Sequence, residues 1–346
     1  MPSLTATLTA ALLLGAVSSA SIVAAAEPEL LALAGNLDVH DPVIIKEGGT
    51  YYLYATGGRP GRGSISAFTS PDMRQWTRAG FALARLPEWV ASEVPRATNA
   101  WAPDISFYNG KFHLYYSLSS FGVNESAIGL ATNKTLDPAS PDFKWVDEGL
   151  VVRSRTGQDD FNAIDPNLVI EDEKNVWLTW GSFWGGVMLR RIDPATGKLS
   201  ESDTTLHKPA SRSRSKPHET PPVEGAIEAP FIIRHDEHWY LFASWDFCCP
   251  GPRRPVSDYK VVVGRAEKVT GPYLDREGQP MSEGGGTLVL EAATETWRGA
   301  GHPAIYQEGG TDYMLFHAYP TAGRGSRLHI STIVWEDGWP RVARMP

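Results

Sequence analysis

Residues 102–116, APDISFYNGKFHLYY, carry the pattern that decides the fold. Ala102-Pro103 opens an apolar run, and Asn109-Gly110 supplies the residue pair that closes a tight hairpin. Phe112-His113-Leu114-Tyr115-Tyr116 then follows as an aromatic-rich strand. The same design occurs four more times. Asp41-Pro42-Val43-Ile44-Ile45 precedes Tyr51-Tyr52-Leu53-Tyr54-Ala55, and Asp165-Pro166-Asn167-Leu168-Val169 precedes Val176-Trp177-Leu178-Thr179-Trp180. Ala229-Pro230-Phe231-Ile232-Ile233 precedes Trp239-Tyr240-Leu241-Phe242-Ala243, and His302-Pro303-Ala304-Ile305-Tyr306 precedes Asp312-Tyr313-Met314-Leu315-Phe316.

The five prolines are 61, 63, 64 and 73 residues apart. A third strand is readable in every unit (64–69, 126–132, 186–192, 259–265 and 326–334), and a fourth in places (149–152 and 286–290). Four strands repeated five times predict an all-β, five-bladed β-propeller around a central channel. The repeat exceeds the roughly forty residues of the WD type, and no Gly-His…Trp-Asp signature occurs. Proline is tolerated as the first residue of each innermost strand, where no ladder N–H is needed. The residues preceding it, Asp41, Asp165 and His302 among them, are therefore expected to converge at one end of the channel.

Composition agrees. Gly 33 and Pro 26 are turn formers, and Trp 12, Tyr 12 and Phe 12 supply aromatic faces. One short helical turn is expected at 88–94, and the stretches 57–63 and 203–223 read as exposed loops. The net charge of −8, with no lysine or arginine block, argues against a nucleic-acid partner. Residues 1–26 hold no charged side chain and end in Ala24-Ala25-Ala26, the pattern of a cleavable secretory leader, leaving one domain over 27–346. A membrane anchor is the alternative; Gly15 and several Ser and Thr break the apolar run, and no membrane association is expected. Asn124-Glu125-Ser126 and Asn133-Lys134-Thr135 are glycosylation sequons compatible with secretion. Cys248 and Cys249 are adjacent, so they either close a vicinal disulfide or remain two free thiols; an oxidising compartment favours the disulfide.

The repeat brings Asp41 and Asp165 to the channel mouth, and Glu228 lies one residue before Ala229-Pro230. Three carboxylates in one apolar-walled mouth repel one another and push their pKa values apart. A glycosidase needs that division between a protonated acid and an ionised base. Strand-end caps bonded to backbone amides are the structural alternative. Trp101, Phe183 and Trp184 fall near the same mouth, where rings stack on sugar C–H faces, or else pack within the blades. A neutral polysaccharide suits this charge pattern.

The stretches NLDVHDP (36–42), NAWAPDISFYNGKFHLYYSLSSFGVNESAIGLATNKTLDP (99–138), FNAIDPNLV (161–169), WGSFWGGV (180–187), EGAIEAPFI (224–232), SWDFCC (244–249) and YKVVVGRAEKVTGPY (259–273) resemble the endo-1,5-α-L-arabinanases of glycoside hydrolase family 43. The resemblance implies a monomeric, secreted enzyme that cleaves plant cell-wall arabinan and arabino-oligosaccharides with inversion. By matching motifs, Asp41 looks like the general base and Glu228 the general acid. Asp165 looks like the third carboxylate, which orients the acid and raises its pKa. Asn162, Ala163, Ile164, Asp165, Gly122, Ser182, Phe183 and Trp184 look like the arabinan-contacting positions. His302 of GAGHPAI looks like the histidine facing a hydrated metal, often calcium, in the channel. Trp245 departs from the phenylalanine usual before Asp246, and 250–255 is unusually rich in Pro and Arg. These departures leave subsite number and polymer preference open. An exo-acting arabinanase, an arabinofuranosidase or a β-xylosidase on the same fold is the alternative, since exo or endo action depends on whether loops block one end of the groove. A non-catalytic sugar-binding propeller is the remote alternative.

Overall fold

The computed structural model describes residues 26–57, 64–213, 225–252 and 254–346. The leader read at 1–26 therefore lies outside the described residues except for Ala26, as do 58–63 and 214–224 of the two loops.

Five antiparallel sheets form the blades. Blade 1 comprises Val43–Glu47, Thr50–Ala55, Ser64–Ser70 and Gln75–Leu83. Blade 2 comprises Ala100–Tyr108, Lys111–Leu118, Ser126–Asn133 and Val146–Ser154. Blade 3 runs Asn167–Ile170, Val176–Trp180 and Val187–Asp193, with Lys198–Leu199 and His207–Ala210 both pairing the third strand. Blade 4 comprises Ile227–His235, His238–Trp245, Lys260–Ala266 and Thr287–Glu291. Blade 5 comprises Trp297–Glu308, Thr311–Pro320, Arg327–Glu336 and Trp339–Val342. The short helix is Val90–Glu93. The 203–223 stretch is not all loop, because His207–Ala210 is a strand. Among the described residues no helix is long and apolar enough to cross a membrane.

The innermost strands touch in cyclic order and close the ring. The N-terminal segment completes it. Leu31 N–H donates to Ile330 O at 2.8 Å and Leu328 N–H to Leu37 O at 3.0 Å, while Ala34–Gly35 pairs in parallel with Gln75-Trp76 of blade 1. Second strands such as Lys111–Leu118 are buried on both faces, which explains their near-continuous apolar sequence. Trp76, Trp180, Tyr115, Tyr116, Tyr240 and Phe242 are among the largest side chains sealed between blades.

Proline begins the inner strand only in outline. In blades 1 and 3 the strand starts just after Pro42 and Pro166, but in blades 2, 4 and 5 it starts earlier and carries Pro103, Pro230 and Pro303 within it. The ladder shifts register at each of those three points, between Trp101 and Asp104, Glu228 and Phe231, and Gly301 and Ala304. A bulge accommodates the missing N–H. The residue before each proline is left-handed in all five blades: Asp41 φ 56°, Ala102 φ 34°, Asp165 φ 58°, Ala229 φ 52° and His302 φ 57°. For non-glycine residues this costs about 1–3 kcal/mol apiece, so the surrounding contacts must hold it.

They do so by a repeated link. The left-handed turn directs the backbone N–H away from its own hairpin and towards the preceding blade. Ala102 N–H donates to Thr56 Oγ1 (2.8 Å), Asp165 N–H to Ser117 Oγ (2.9 Å), His302 N–H to Ser244 Oγ (2.9 Å) and Asp41 N–H to His317 Nδ1 (3.1 Å). The four acceptors stand at the same step of the repeat, the sixth residue of the Tyr51, Phe112, Trp239 and Asp312 runs. Blade 3 has Gly181 at that step, and Ala229 N–H donates instead to Asp165 Oδ2 at 3.1 Å.

Candidate active site

The left-handed residues place Asp41, Asp165 and His302 at one mouth of the channel, with Glu228 beside Ala229. Asp41, Asp165 and Glu228 retain 6 %, 6 % and 9 % exposure, so all three are buried yet reachable. Asp41 Oδ1 faces His302 Nδ1 at 3.0 Å, and its Oδ2 accepts from Thr56 Oγ1 and lies 2.7 Å from His40 Nδ1 in an off-axis contact. Burial alone would raise the Asp41 pKa; the charges of His302 and His40 outweigh it and hold the carboxylate well below its usual range. Burial likewise opposes a charge on His302, but Asp41, Asp165 and Glu228 together push it up to about 9. The two form an ion pair.

Glu228 is different. Burial raises its pKa first, the Asp41 charge adds to that, and Ser182, Tyr259 and His302 pull the other way. Ser182 Oγ donates to Glu228 Oε2 at 2.7 Å, and the two residues also form an isolated backbone bridge. Asp165 is pushed well above its ordinary value, by burial and by the charges of Glu228 and Asp41. Asp165 and Glu228 thus share surroundings in which burial and neighbouring negative charge oppose ionisation of both carboxyls. The mouth pulls Asp41 towards the ionised form and Glu228 towards the protonated one, the division that acid–base hydrolysis of a glycoside requires.

A second cluster was not anticipated from sequence. Because the Asp41 N–H occupies His317 Nδ1, and burial keeps this ring neutral, its proton lies on Nε2, which donates to Tyr319 Oη at 3.2 Å. Tyr319 in turn reaches His40 Nε2 at 2.8 Å. The chain of contacts starts and ends on Asp41. His40 alone had a signal, its place in DVHDP; His317 and Tyr319 are strand residues nearly the whole chain away. The joined Cys248–Cys249 pair packs against this cluster, with Cys249 Sγ 3.6 Å from His40 Nε2 and 3.7 Å from Tyr319 Oη.

The aromatic expectations divide. Trp101 meets Phe121 at 5.1 Å; Phe121 is 77 % exposed and adjoins Gly122 (φ 80°). Phe183 meets Phe247 at 5.4 Å. Trp184 and Ala163, however, are buried at 4 % and 0 %, and Asn162 and Ile164 are buried too. Ala163 is sealed in the wall, and Trp184 is packed into it with only an edge exposed. The sequons fare similarly. Asn124 is buried and spends its amide on Asp159 O and Phe161 O, and Asn133 is buried under Thr135 and Lys144, so neither presents its nitrogen for a glycan.

A metal at His302 has one protein donor to use. Nδ1 faces Asp41, which leaves Nε2, and a hard cation such as calcium prefers oxygen ligands. A hydrated cation held mainly through its own waters fits once His302 is neutral, because the ion-paired ring carries a proton on Nε2; a protein cage does not fit. The described residues do gather His40, Asp41 and His317 within 4.8 Å, but His317 Nδ1 and Nε2 are already engaged by the Asp41 N–H and Tyr319.

A five-bladed propeller with a buried, divided set of carboxylates at its mouth defines a glycoside hydrolase. Comparison with known proteins makes this specific. The model of glycosyl hydrolases family 43 matches residues 35–340, and the chain belongs to that family. It is 42 % identical over 313 residues, 89 % of this chain and 87 % of the relative, to an extracellular exo-α-(1→5)-L-arabinofuranosidase of Cellvibrio japonicus. It is 40 % identical over 309 residues, 89 % of this chain and 88 % of the relative, to an extracellular endo-α-(1→5)-L-arabinanase of Bacillus subtilis. The structure of Cellvibrio cellulosa α-L-arabinanase complexed with arabinohexaose superposes with a TM-score of 0.83 at 42 % identity, covering 89 % of this chain and 96 % of that one.

Proposed function

We propose that this enzyme hydrolyses internal α-1,5-L-arabinofuranosidic bonds of arabinan, with inversion, as an exported protein. The observation that carries the reading is the placement of two buried carboxyls in one mouth with opposite surroundings: Asp41 paired to His302 and His40, which lower its pKa, and Glu228 raised by burial. Asp41 acts as general base on a water at the anomeric carbon, and Glu228 protonates the departing sugar oxygen. Asp165 fixes the acid through the N–H of Ala229, the residue after it. A hydrated cation at His302 Nε2 would take the place of that ring's proton, so positive charge would stand opposite the carboxylates in either state.

An aromatic pair lies next in sequence to a residue linked to each of these two carboxyls, which supports internal cleavage. Trp101 and Phe121 adjoin the Asp41 side through Ala102 and Thr56; Phe183 and Phe247 adjoin the Glu228 side through Ser182. Rings on both sides of a scissile bond suit a polymer that continues in both directions. Relatives named exo and endo are almost equally similar, so identity does not choose between them. Both are named extracellular, which supports export. The test is incubation with debranched arabinan, linear arabino-oligosaccharides and xylan, followed by product separation. Mixed short oligomers from arabinan alone support the reading; a single small product released from chain ends turns it to exo action, and products from xylan alone overturn it.

A further inference from the structure

We propose that Ser117, Ser244 and His317 are positioning residues for the reaction, acting through the backbone N–H of the left-handed residue they each hold. The inference rests on the reading of Asp41 and Asp165 as reacting groups. An ordinary strand-end N–H returns to its own hairpin. Here the positive φ before proline turns it across to the neighbouring blade, where it is buried and needs an acceptor.

The acceptors come from one step of the repeat and are 0 % exposed at Ser117, Ser244 and His317. Each bond fixes one residue whose side chain enters the mouth: Asp165 by Ser117, His302 by Ser244, Asp41 by His317. Thr56 belongs to the same set. It holds the Ala102 N–H and donates its own hydroxyl to Asp41 Oδ2, so one side chain spans two blades of the mouth.

The gap in the set shows why the site is lopsided. A Cβ at Gly181 (φ 136°) would stand 2.3 Å from Gly186 O, because the Ser182–Gly186 loop folds back on Val187. No acceptor side chain can stand there. Asp165 supplies it, and its carboxyl is thereby tied to the residue next to Glu228. The ring of links thus aims three mouth residues and, at its one gap, draws the third carboxyl towards the acid.

The test compares Ser117→Ala and Ser244→Ala with Ser331→Ala, which deletes an equally buried hydroxyl accepting the Ala343 N–H on the third strand of blade 5. On a linear arabino-oligosaccharide both mouth variants are expected to lose kcat about ten- to a hundredfold, as small misplacements of reacting groups do. Their KM should stay within about twofold, since binding faces are untouched. Ser331→Ala should melt lower yet keep wild-type kcat. Ser117→Thr and Ser244→Thr, which place at these positions the hydroxyl that Thr56 carries at the same step, should restore kcat, and they decide the matter if an alanine variant does not fold. Amide exchange of Asp165 and His302 gives a readout free of activity: it should quicken in the respective alanine variant and not in Ser331→Ala. Wild-type kcat in both mouth variants, or unchanged amide exchange, overturns the proposal. A wild-type enzyme inactive on arabinan overturns the functional reading instead, and the exchange result still decides this one.

Discussion

The backbone N–H of Ala229 donates to Asp165 Oδ2 at 3.1 Å, and among the five pre-proline links this one alone ends on a carboxyl group. It couples two residues 64 positions apart so that the third carboxyl and the backbone beside Glu228 move together. Position and electrostatics at this mouth are therefore one problem: the group that shares the acid's surroundings also holds its peptide.

That coupling separates two substitutions. Asparagine at 165 keeps an oxygen for the Ala229 N–H, whereas alanine leaves a buried donor unpaired, at about 1–3 kcal/mol. Asp165→Asn should unfold in urea no earlier than wild type and Asp165→Ala clearly earlier than Asp165→Asn, although both turn over arabinan slowly. Equal midpoints would mean that the bond contributes nothing to folding.

The acid sets the basic limb of the pH profile. Glu228 must carry its proton, and burial followed by the Asp41 charge raises its pKa above the ordinary glutamate value, so activity persists to higher pH and is lost as pH rises through that raised pKa. Ser182 donates to Glu228 Oε2 and favours the ionised form. Ser182→Ala should move the basic limb to higher pH; movement to lower pH would contradict the assignment. The same sign governs stability. A folded pKa above the unfolded one stabilises fully below the unfolded value and loses that contribution as pH rises. Glu228→Gln should accordingly be inactive but more stable than wild type at neutral pH.

Deeper in the channel, Asp104 is buried and pushed up to about 6, first by burial, against the bonds it accepts from Leu168 N–H (2.9 Å) and Asn167 Nδ2 (3.2 Å). Its folded pKa lies above the unfolded value of 3.8, so its contribution is greatest below that value and declines as pH rises through about 6. A rise from 3.8 to about 6 corresponds to roughly 3 kcal/mol between the two protonation states. Chemical unfolding at pH 4 and pH 7 should show a decline in wild type that is smaller in Asp104→Ala, which also loses the two interblade bonds. Parallel pH dependence in the two proteins would remove Asp104 as the cause.

The cysteine pair should titrate as no free thiol in unfolded, unreduced protein; two reactive thiols would refute the bond. Cys249 leans on His40 and Tyr319, which connect to Asp41. Replacing both cysteines by serine should therefore lower kcat while leaving the blades folded by circular dichroism. Unchanged kcat would confine the pair to the rim.

The repeat made the propeller legible because every inner strand and hairpin turn bears the same punctuation, Pro and then a turn pair. What escaped was whatever lacked that punctuation. Gln75–Leu83 and His207–Ala210 are outer strands partly open to solvent, and Trp339–Val342 is a four-residue, mostly buried one; their mixed sequences carry no two-residue alternation. Asp41, Asp165 and Glu228 were visible because the repeat places them at one end. Sequence left Trp184 open between sugar platform and blade packing, because it shows the ring but not the left-handed φ of 43° and the burial to 4 %. The links at Thr56, Ser117, Ser244 and His317 stood in register in the sequence all along. A hydroxyl or imidazole ending a strand is ordinary, and only the left-handed residue opposite gives it a task.

The mechanism itself is tested by telling base from acid. Inversion needs a water between Asp41 and the anomeric carbon, so the two carboxyls should stand roughly 6.5–9.5 Å apart when substrate is bound. Asp41→Ala and Glu228→Ala should each lose about a hundredfold or more, because water activation and leaving-group protonation are separate requirements. An arabinoside with a good leaving group needs little protonation. It should partly rescue Glu228→Ala and leave Asp41→Ala inactive; the reverse pattern would exchange the two roles. The stereochemistry gives an independent answer. Proton NMR of the first product from an α-linked substrate should show the β-anomer, which mutarotates afterwards. An α-anomer formed first would mean a covalent intermediate on the enzyme, and Asp41, held ionised between His302 and His40, would then be the nucleophile rather than the base.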